Sequence, residues 1–175
     1  GRTSSGGDCA GAWARQVGTC RRAVDAAPGV VNGVVVVGSE DGNMYAFRAN
    51  GTSSCSGTPR TCLPRRTAAT KGGVYSDPVV VKGVVYIGSQ DDTLYAFSAS
   101  GTTKCSGTPK TCLPLWTAAT GGPIYGSAAV VGGSVYVGSF DHKMYAFSAA
   151  GTANCSGSPL TCMPLWTATT GNTLQ

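Results

Sequence analysis

Along this chain short apolar runs alternate with turn residues, and no stretch carries the 3.6-residue period of an amphipathic helix. The segment "VVNGVVVVGSEDGNMYAF" from Val30 is representative. A strand ends in Val-Val, and Asn32-Gly33 follows, the strongest short hairpin signal there is. A second strand, "VVVVGS", meets a turn built on Asp41, and a third, "MYAF", sets Tyr45 and Ala46 on opposite faces. A fourth strand is expected at "PRRTAAT" in this copy and at "PLWTAAT" and "PLWTATT" in two later ones.

Those later copies make repetition the main fact of the sequence. The stretches from Val30, Val80 and Val130 align at an offset of 50 residues, down to the turns Lys82-Gly83 and Gly132-Gly133 and the aspartates Asp91 and Asp141. A fixed period of this length indicates propeller blades or solenoid coils. The expected class is all-β, with three four-stranded antiparallel repeats at 24–73, 74–123 and 124–175 behind an N-terminal segment, 1–23. The position after each aspartate holds Gly42, Asp92 or His142, which suggests a backbone with positive φ, so His142 reads as a turn residue.

Composition supports this class. The chain has 175 residues, only 12% of them charged, with 26 glycines, which favours many turns over long helices. No apolar run approaches the roughly 18 residues of a membrane span. Because the sequence does not begin with methionine, a processed chain or an excerpt is expected, and the missing leader says little about compartment.

Eight cysteines accompany a single histidine, too few imidazoles for mixed zinc sites. "CSGTPRTC" from Cys55 returns as "CSGTPKTC" from Cys105 and "CSGSPLTC" from Cys155, a Cys-x6-Cys spacing wider than metal knuckles or thioredoxin-like sites use. The expected pairs are Cys55–Cys62, Cys105–Cys112 and Cys155–Cys162. Each ties off a long loop between the third and fourth strands, for about 2.5 kcal/mol in the chain-entropy model. Cys9 and Cys20 bracket the strand-like "AWARQV" and are expected to pair with each other. Disulfides imply an oxidising compartment, so the protein is expected to be secreted or at a bacterial cell surface.

The net charge of +5 is unevenly spread, because all eight arginines lie at or before Arg66. A surface facing a cell-envelope polyanion is one reading, and a solvated face or a docking edge the other. Nucleic acid is not expected, since the basic residues are not interleaved with exposed-looking aromatics.

In the third copy the order Tyr136-Val137-Gly138-Ser139, Asp141, Met144-Tyr145-Ala146-Phe147 and Leu165-Trp166 resembles the β-propeller repeat named after pyrroloquinoline quinone (PQQ) dehydrogenases. The same repeat occurs in the propeller-type outer-membrane assembly lipoprotein and in extracellular sensor domains. The Cys-x6-Cys insert is similar to that of secreted bacterial repeat proteins. The resemblance covers about Val24 to Thr170 and implies that Trp116 and Trp166 dock each blade onto its neighbour. Copy one departs from it, with Arg65 and Arg66 in place of Leu-Trp, so its junction is expected to be weaker unless Trp13 or a partner fills the gap. Trp13 looks like part of a fourth strand left from a preceding blade.

Three blades cannot close a ring, since closed propellers need at least four. Completion by a second copy as a ring, by missing blades of a longer chain, or by head-to-tail contacts in a filament all stay open. Chemistry is not indicated. There is no vicinal Cys-Cys, the only glutamate is Glu40, and the aspartates recur once per blade as structural positions do. Hence no catalytic residue, metal or cofactor is expected. The reading is a non-catalytic extracellular scaffold for binding or self-assembly, with a carbohydrate-binding module and a fragment of a quinoprotein dehydrogenase as alternatives. Ligand-binding candidates are Tyr75, Asp77, Tyr125 and Ser127, in the segments joining blades near the channel mouth, together with Arg65 and Arg66. Glu40, Gln90 and Phe140 vary nearby.

Overall fold

The computed structural model describes residues 23–171, and every regular element there is a strand. The first copy forms β1 (Gly29–Val31), β2 (Val34–Gly38), β3 (Asn43–Arg48) and β6 (Arg66–Ala69), with β4 (Cys55–Ser56) and β5 (Thr61–Cys62) between the last two. The second forms β7 (Val79–Val81), β8 (Val84–Gly88), β9 (Thr93–Ser98) and β12 (Trp116–Ala119), with β10 (Cys105–Ser106) and β11 (Lys110–Cys112). The third forms β13 (Ala129–Val131), β14 (Ser134–Ser139), β15 (Lys143–Ser148) and β18 (Trp166–Thr169), with β16 (Cys155–Ser156) and β17 (Thr161–Cys162).

Each copy is a four-stranded antiparallel blade, ordered β13-β14-β15-β18 in the third. The inner hairpins turn through Asn32-Gly33, Lys82-Gly83 and Gly132-Gly133, whose φ values are all positive, as a type I′ turn requires. Positive φ also appears at Gly42, Asp92 and His142 after the turn aspartates, as the spacing predicted. Innermost strands β1, β7 and β13 lie side by side, so the blades fan out from a common inner edge.

Strand alternation explains the packing between blades. Along β8 and β9, Val85, Ile87, Tyr95 and Phe97 face the first blade and join Val36, Met44, Ala46 and Ala68 in one core. The intervening Tyr86, Leu94 and Ala96 face the third blade, where they meet Val135, Val137, Tyr145 and Phe147 with Trp116. A blade therefore has two buried faces, which is why its strands are apolar at both parities.

The three predicted disulfides form, with each cysteine pair directly opposed in a short antiparallel ladder and Cα atoms 3.9 to 4.0 Å apart. The Cys9–Cys20 pairing and Trp13 lie outside the described residues. The stapled loop is more than a protected tip. Strand β11 of the second copy runs parallel to β6 of the first, with Lys110, Thr111 and Cys112 opposite Arg66, Thr67 and Ala68. Likewise β17 adds to β12, and the Thr117 N–H donates to the Leu160 carbonyl at 3.1 Å. The second and third staples are thus strand pairs lent to the preceding blade. Among the described residues, hairpin β4-β5 pairs with no other strand, and β18 has only β15 beside it.

Candidate functional site: blade junctions and the inner aromatic run

Two kinds of feature stand out, the seats between blades and a line of aromatic side chains at the inner end. The seats are built from one residue of the fourth strand and one glycine of the next blade. Trp116 is 2% exposed, its ring lies 6.0 Å from that of Tyr86, and its Nε1–H donates to the Ala149 carbonyl at 3.3 Å. The Tyr86 hydroxyl donates to the same carbonyl at 2.9 Å. The indole rests on Gly151, where a Cβ would collide with it, so that position requires glycine for closeness as well as for its φ of 67°.

The first junction uses the same seat with a different side chain. Arg66 is also 2% exposed, lies against Gly101, and its Nη2 donates to the Ala99 carbonyl. The gap expected at this junction is filled by Arg66 itself, in the place that Trp116 takes one blade on. Burial in that seat, and secondarily the neighbouring Arg65, pull the guanidinium pKa down, and its Nε has no hydrogen-bond partner. No carboxylate lies within ion-pairing distance of it among the described residues.

The third junction residue, Trp166, packs on Tyr136 with ring centres 5.8 Å apart yet is 45% exposed. Its docking role, implied by the resemblance, has no receiving blade among the described residues.

Within each blade the turn aspartate is committed to structure. Tyr45, Tyr95 and Tyr145 donate their hydroxyls to Oδ2 of Asp41, Asp91 and Asp141, at 2.6 Å in the first blade. The Asn43 and Lys143 N–H groups donate to Oδ1 of Asp41 and Asp141, two residues on, as an Asx turn does. The hydroxyl oxygens of Tyr95 and Tyr145 in turn accept from the Lys71 and Gly121 N–H groups of the linkers that enter their blades.

Burial by itself would raise the Asp141 carboxyl, but the hydroxyls of Tyr145 and Ser139, with Lys143, outweigh it and hold the group below its ordinary value. A carboxyl depressed in the folded state contributes stability above its unfolded pKa and loses it as pH falls through the folded one. Tyr145→Phe should therefore shift acid unfolding to higher pH, followed by circular dichroism from about pH 5 downward. An unchanged midpoint would show that the pair does not matter.

The inner aromatic run joins the second and third blades. Tyr75 and Tyr125, in the linkers entering the second and third blades, have ring centres 5.7 Å apart, and Tyr125 lies 4.6 Å from Phe140. Burial and a hydrogen bond to the Glu40 carboxylate push the Tyr75 hydroxyl pKa up, while Gln90 Nε2 donates to the Tyr125 hydroxyl at 3.1 Å. The structure thus brings Tyr75 and Tyr125 together. It places the other candidates differently. Asp77 accepts from the Ala27 N–H at 2.6 Å and donates its own N–H to Ser127 Oγ at 3.2 Å, so Asp77 and Ser127 tie adjacent linkers. Arg65 borders a shallow cleft with Val31, Val34 and Ala99. Arg66 is enclosed in its junction.

The glycine seats and their paired carbonyls were not read from the sequence. Their signal was Gly51, Gly101 and Gly151 recurring two residues after Ala49, Ala99 and Ala149.

Three radial four-stranded blades, docked through a fourth-strand anchor, define a β-propeller array of the PQQ-like repeat type. Residues 11–154 match the family model described as outer membrane protein assembly factor BamB, and the chain belongs to that family. A comparison with curated proteins found no match. Among solved structures, BamB from Moraxella catarrhalis superposes with a TM-score of 0.58 at 11% identity, over 83% of this chain and 36% of that one. The computationally designed Ika8 protein gives 0.64 at 15% identity, over 90% and 40%. The designed Ika4 gives 0.59 at 14%, over 89% and 77%. The chain thus spans 40% and 36% of the first two, and these likenesses establish the fold alone.

The repeat is named after quinone enzymes, but the described residues do not fit such a cofactor. Asp41, Asp91 and Asp141 are held apart, each on the tyrosine of its own blade, and no three metal-binding side chains gather among the described residues.

Proposed function

We propose that this chain is a non-catalytic propeller scaffold working outside the reducing interior of the cell, where it binds a partner and assembles through its blade edges. The observation that carries this reading is where the repeats differ. The turn aspartates, their tyrosines and the cysteines recur unchanged and are engaged within the framework. The repeats differ at the inner run, where Glu40, Gln90 and Phe140 stand at one repeat position and Asp25, Tyr75 and Tyr125 at another. The three staples support an oxidising setting, secreted or at the cell surface.

A glycan partner is the second reading, favoured by the half-buried rings of Tyr75, Tyr125 and Phe140 beside a carboxylate and an amide. Flat apolar faces with adjacent hydrogen-bonding groups suit a sugar ring. The test is retention on glycan and peptide arrays by the whole chain and by its Tyr75→Ala and Tyr125→Ala variants. Each ring removed is expected to lower retention about tenfold. Retention on no array would sink the glycan reading, and retention indifferent to both variants would move the binding surface away from the inner run.

A further inference from the structure

We propose that the end of the blade array bearing the disulfide staples docks on the surface of an anionic lipid bilayer, while the inner aromatic run, at the opposite end, faces away from it. The contact uses none of the inner-run residues, so it holds whatever they bind.

Backbone hydrogen bonds define the two ends. The Ala49, Ala99 and Ala149 N–H groups donate to the Gly33, Gly83 and Gly133 carbonyls at 2.9 to 3.0 Å, so the inner hairpin turns and the connectors that carry the staples leave each blade together. At the other end the linkers meet the aspartate turns. There the Val74 N–H donates to the Ser39 carbonyl and the Gln90 N–H to the Gly73 carbonyl, both at 3.0 Å.

Charge divides along the same line. The staple end carries Arg48, Arg60, Arg65, Lys82, Lys104 and Lys110, all exposed, besides the enclosed Arg66, and no carboxylate among the described residues. Every carboxylate of residues 23–171, from Asp25 to Asp141, lies in the aspartate turns or in the segments entering the blades, at the opposite end. The ion pair of Lys143 with Asp141 lies there too. At the staple end the heads of Arg60, Lys104 and Lys110 rest on the carbonyls of Gly51, Leu115 and Gly101 at 2.9 to 3.2 Å, which leaves their charge unneutralised. A molecule polarised in this way turns its basic end toward an anionic surface.

Apolar side chains mark the same end. Leu63, Leu113 and Met163 directly follow the second cysteine of each staple and are 59%, 66% and 67% exposed. Single exposed aliphatics are ordinary. These three, however, recur at one repeat position on blades that fan from a common inner edge, and Leu113 shares a shallow groove between staples with Lys104. A soluble polyanion would call for the cations alone. Aliphatic tips set singly among lysines and arginines suit a bilayer surface, where they enter the acyl boundary while the cations meet the phosphates.

The test is co-sedimentation of the whole chain with vesicles of phosphatidylcholine alone, or with phosphatidylglycerol as about one part in three. The wild type is expected on the anionic vesicles and not on the neutral ones, with affinity falling as salt is raised. Lys104→Asn introduces the residue that holds the same positive φ at Asn154, and combined with Lys110→Gln it should weaken binding about 25-fold, about fivefold for each charge. Leu63→Ser, Leu113→Ser and Met163→Ser together should weaken it at least about tenfold at unchanged charge. Lys71→Gln, at the opposite end, should change it less than about twofold. Failure to bind anionic vesicles overturns the proposal, as does equal binding to neutral ones. Binding that ignores the serine variant would be purely Coulombic, as to any soluble polyanion, and overturns the bilayer as partner. A loss for Lys71→Gln as large as for the staple-end lysines, or no loss for those lysines, overturns the orientation.

Discussion

Replacing Trp116 by alanine is expected to cost about 3–5 kcal/mol of stability and to loosen the third blade from the second. The indole is almost fully enclosed, and it closes the hydrophobic cluster shared by the two blades. Its loss opens a cavity over Gly151, where the backbone has no side chain to fill it, and removes one of two donors from the buried Ala149 carbonyl. In a repeat array, stability is close to a sum of blade and junction energies, so damage to one junction should uncouple its neighbours. Hydrogen exchange would read this as faster exchange in β13, β14 and β15 than in β1, β2 and β3, with chemical denaturation giving the size. Trp166→Ala supplies the contrast. In dilute protein it should change stability by less than about 1 kcal/mol, because nearly half of that indole is already in water. A loss below that figure for Trp116→Ala as well would mean that the junction does not depend on its aromatic anchor.

Much of this architecture is legible in the sequence because blade geometry is local. The 50-residue period, the turns with positive φ at Asn32-Gly33 and after each aspartate, and the staples all arise from residues close together in the chain. What lies between blades is less legible. Strands β11 and β17 are three and two residues long and carry no periodic signal of their own. Their parallel pairing with β6 and β12 joins segments more than 40 residues apart and is dictated by how the blades stack. The inner run was partly visible, since Tyr75 and Tyr125 recur at one position. That Glu40 and Gln90 would hold the hydroxyls follows from the height at which linker and turn meet, a tertiary quantity.

Arg66 was the hardest to foresee, because burying a charge with no counter-ion is costly and an arginine in a tryptophan's place reads first as a loss. The structure shows how the cost is limited. The stem packs in the seat as an apolar body would, the head reaches the Ala99 carbonyl, and the smaller Val36 stands where the other blades have Tyr86 and Tyr136.

The anchor and its supporting residue thus differ together, and exchanging both should be better tolerated than exchanging one. Arg66→Ala is expected to cost about 2–4 kcal/mol, since it empties the seat and leaves the Ala99 carbonyl without that donor. Arg66→Trp alone places an indole over Val36, with no ring to pack on. The double variant Val36→Tyr with Arg66→Trp rebuilds the second junction within the first, supplying both donors to Ala99 and removing a buried charge that has no counter-ion among the described residues. Removing a buried charge relieves the cost of its desolvation, and a gain in stability is expected here from denaturant titration. A double variant less stable than wild type would mean that the first junction is shaped for its arginine, so that the blades are not interchangeable at their seats. Stabilisation would instead identify the arginine as a replaceable filler in a seat common to all three blades.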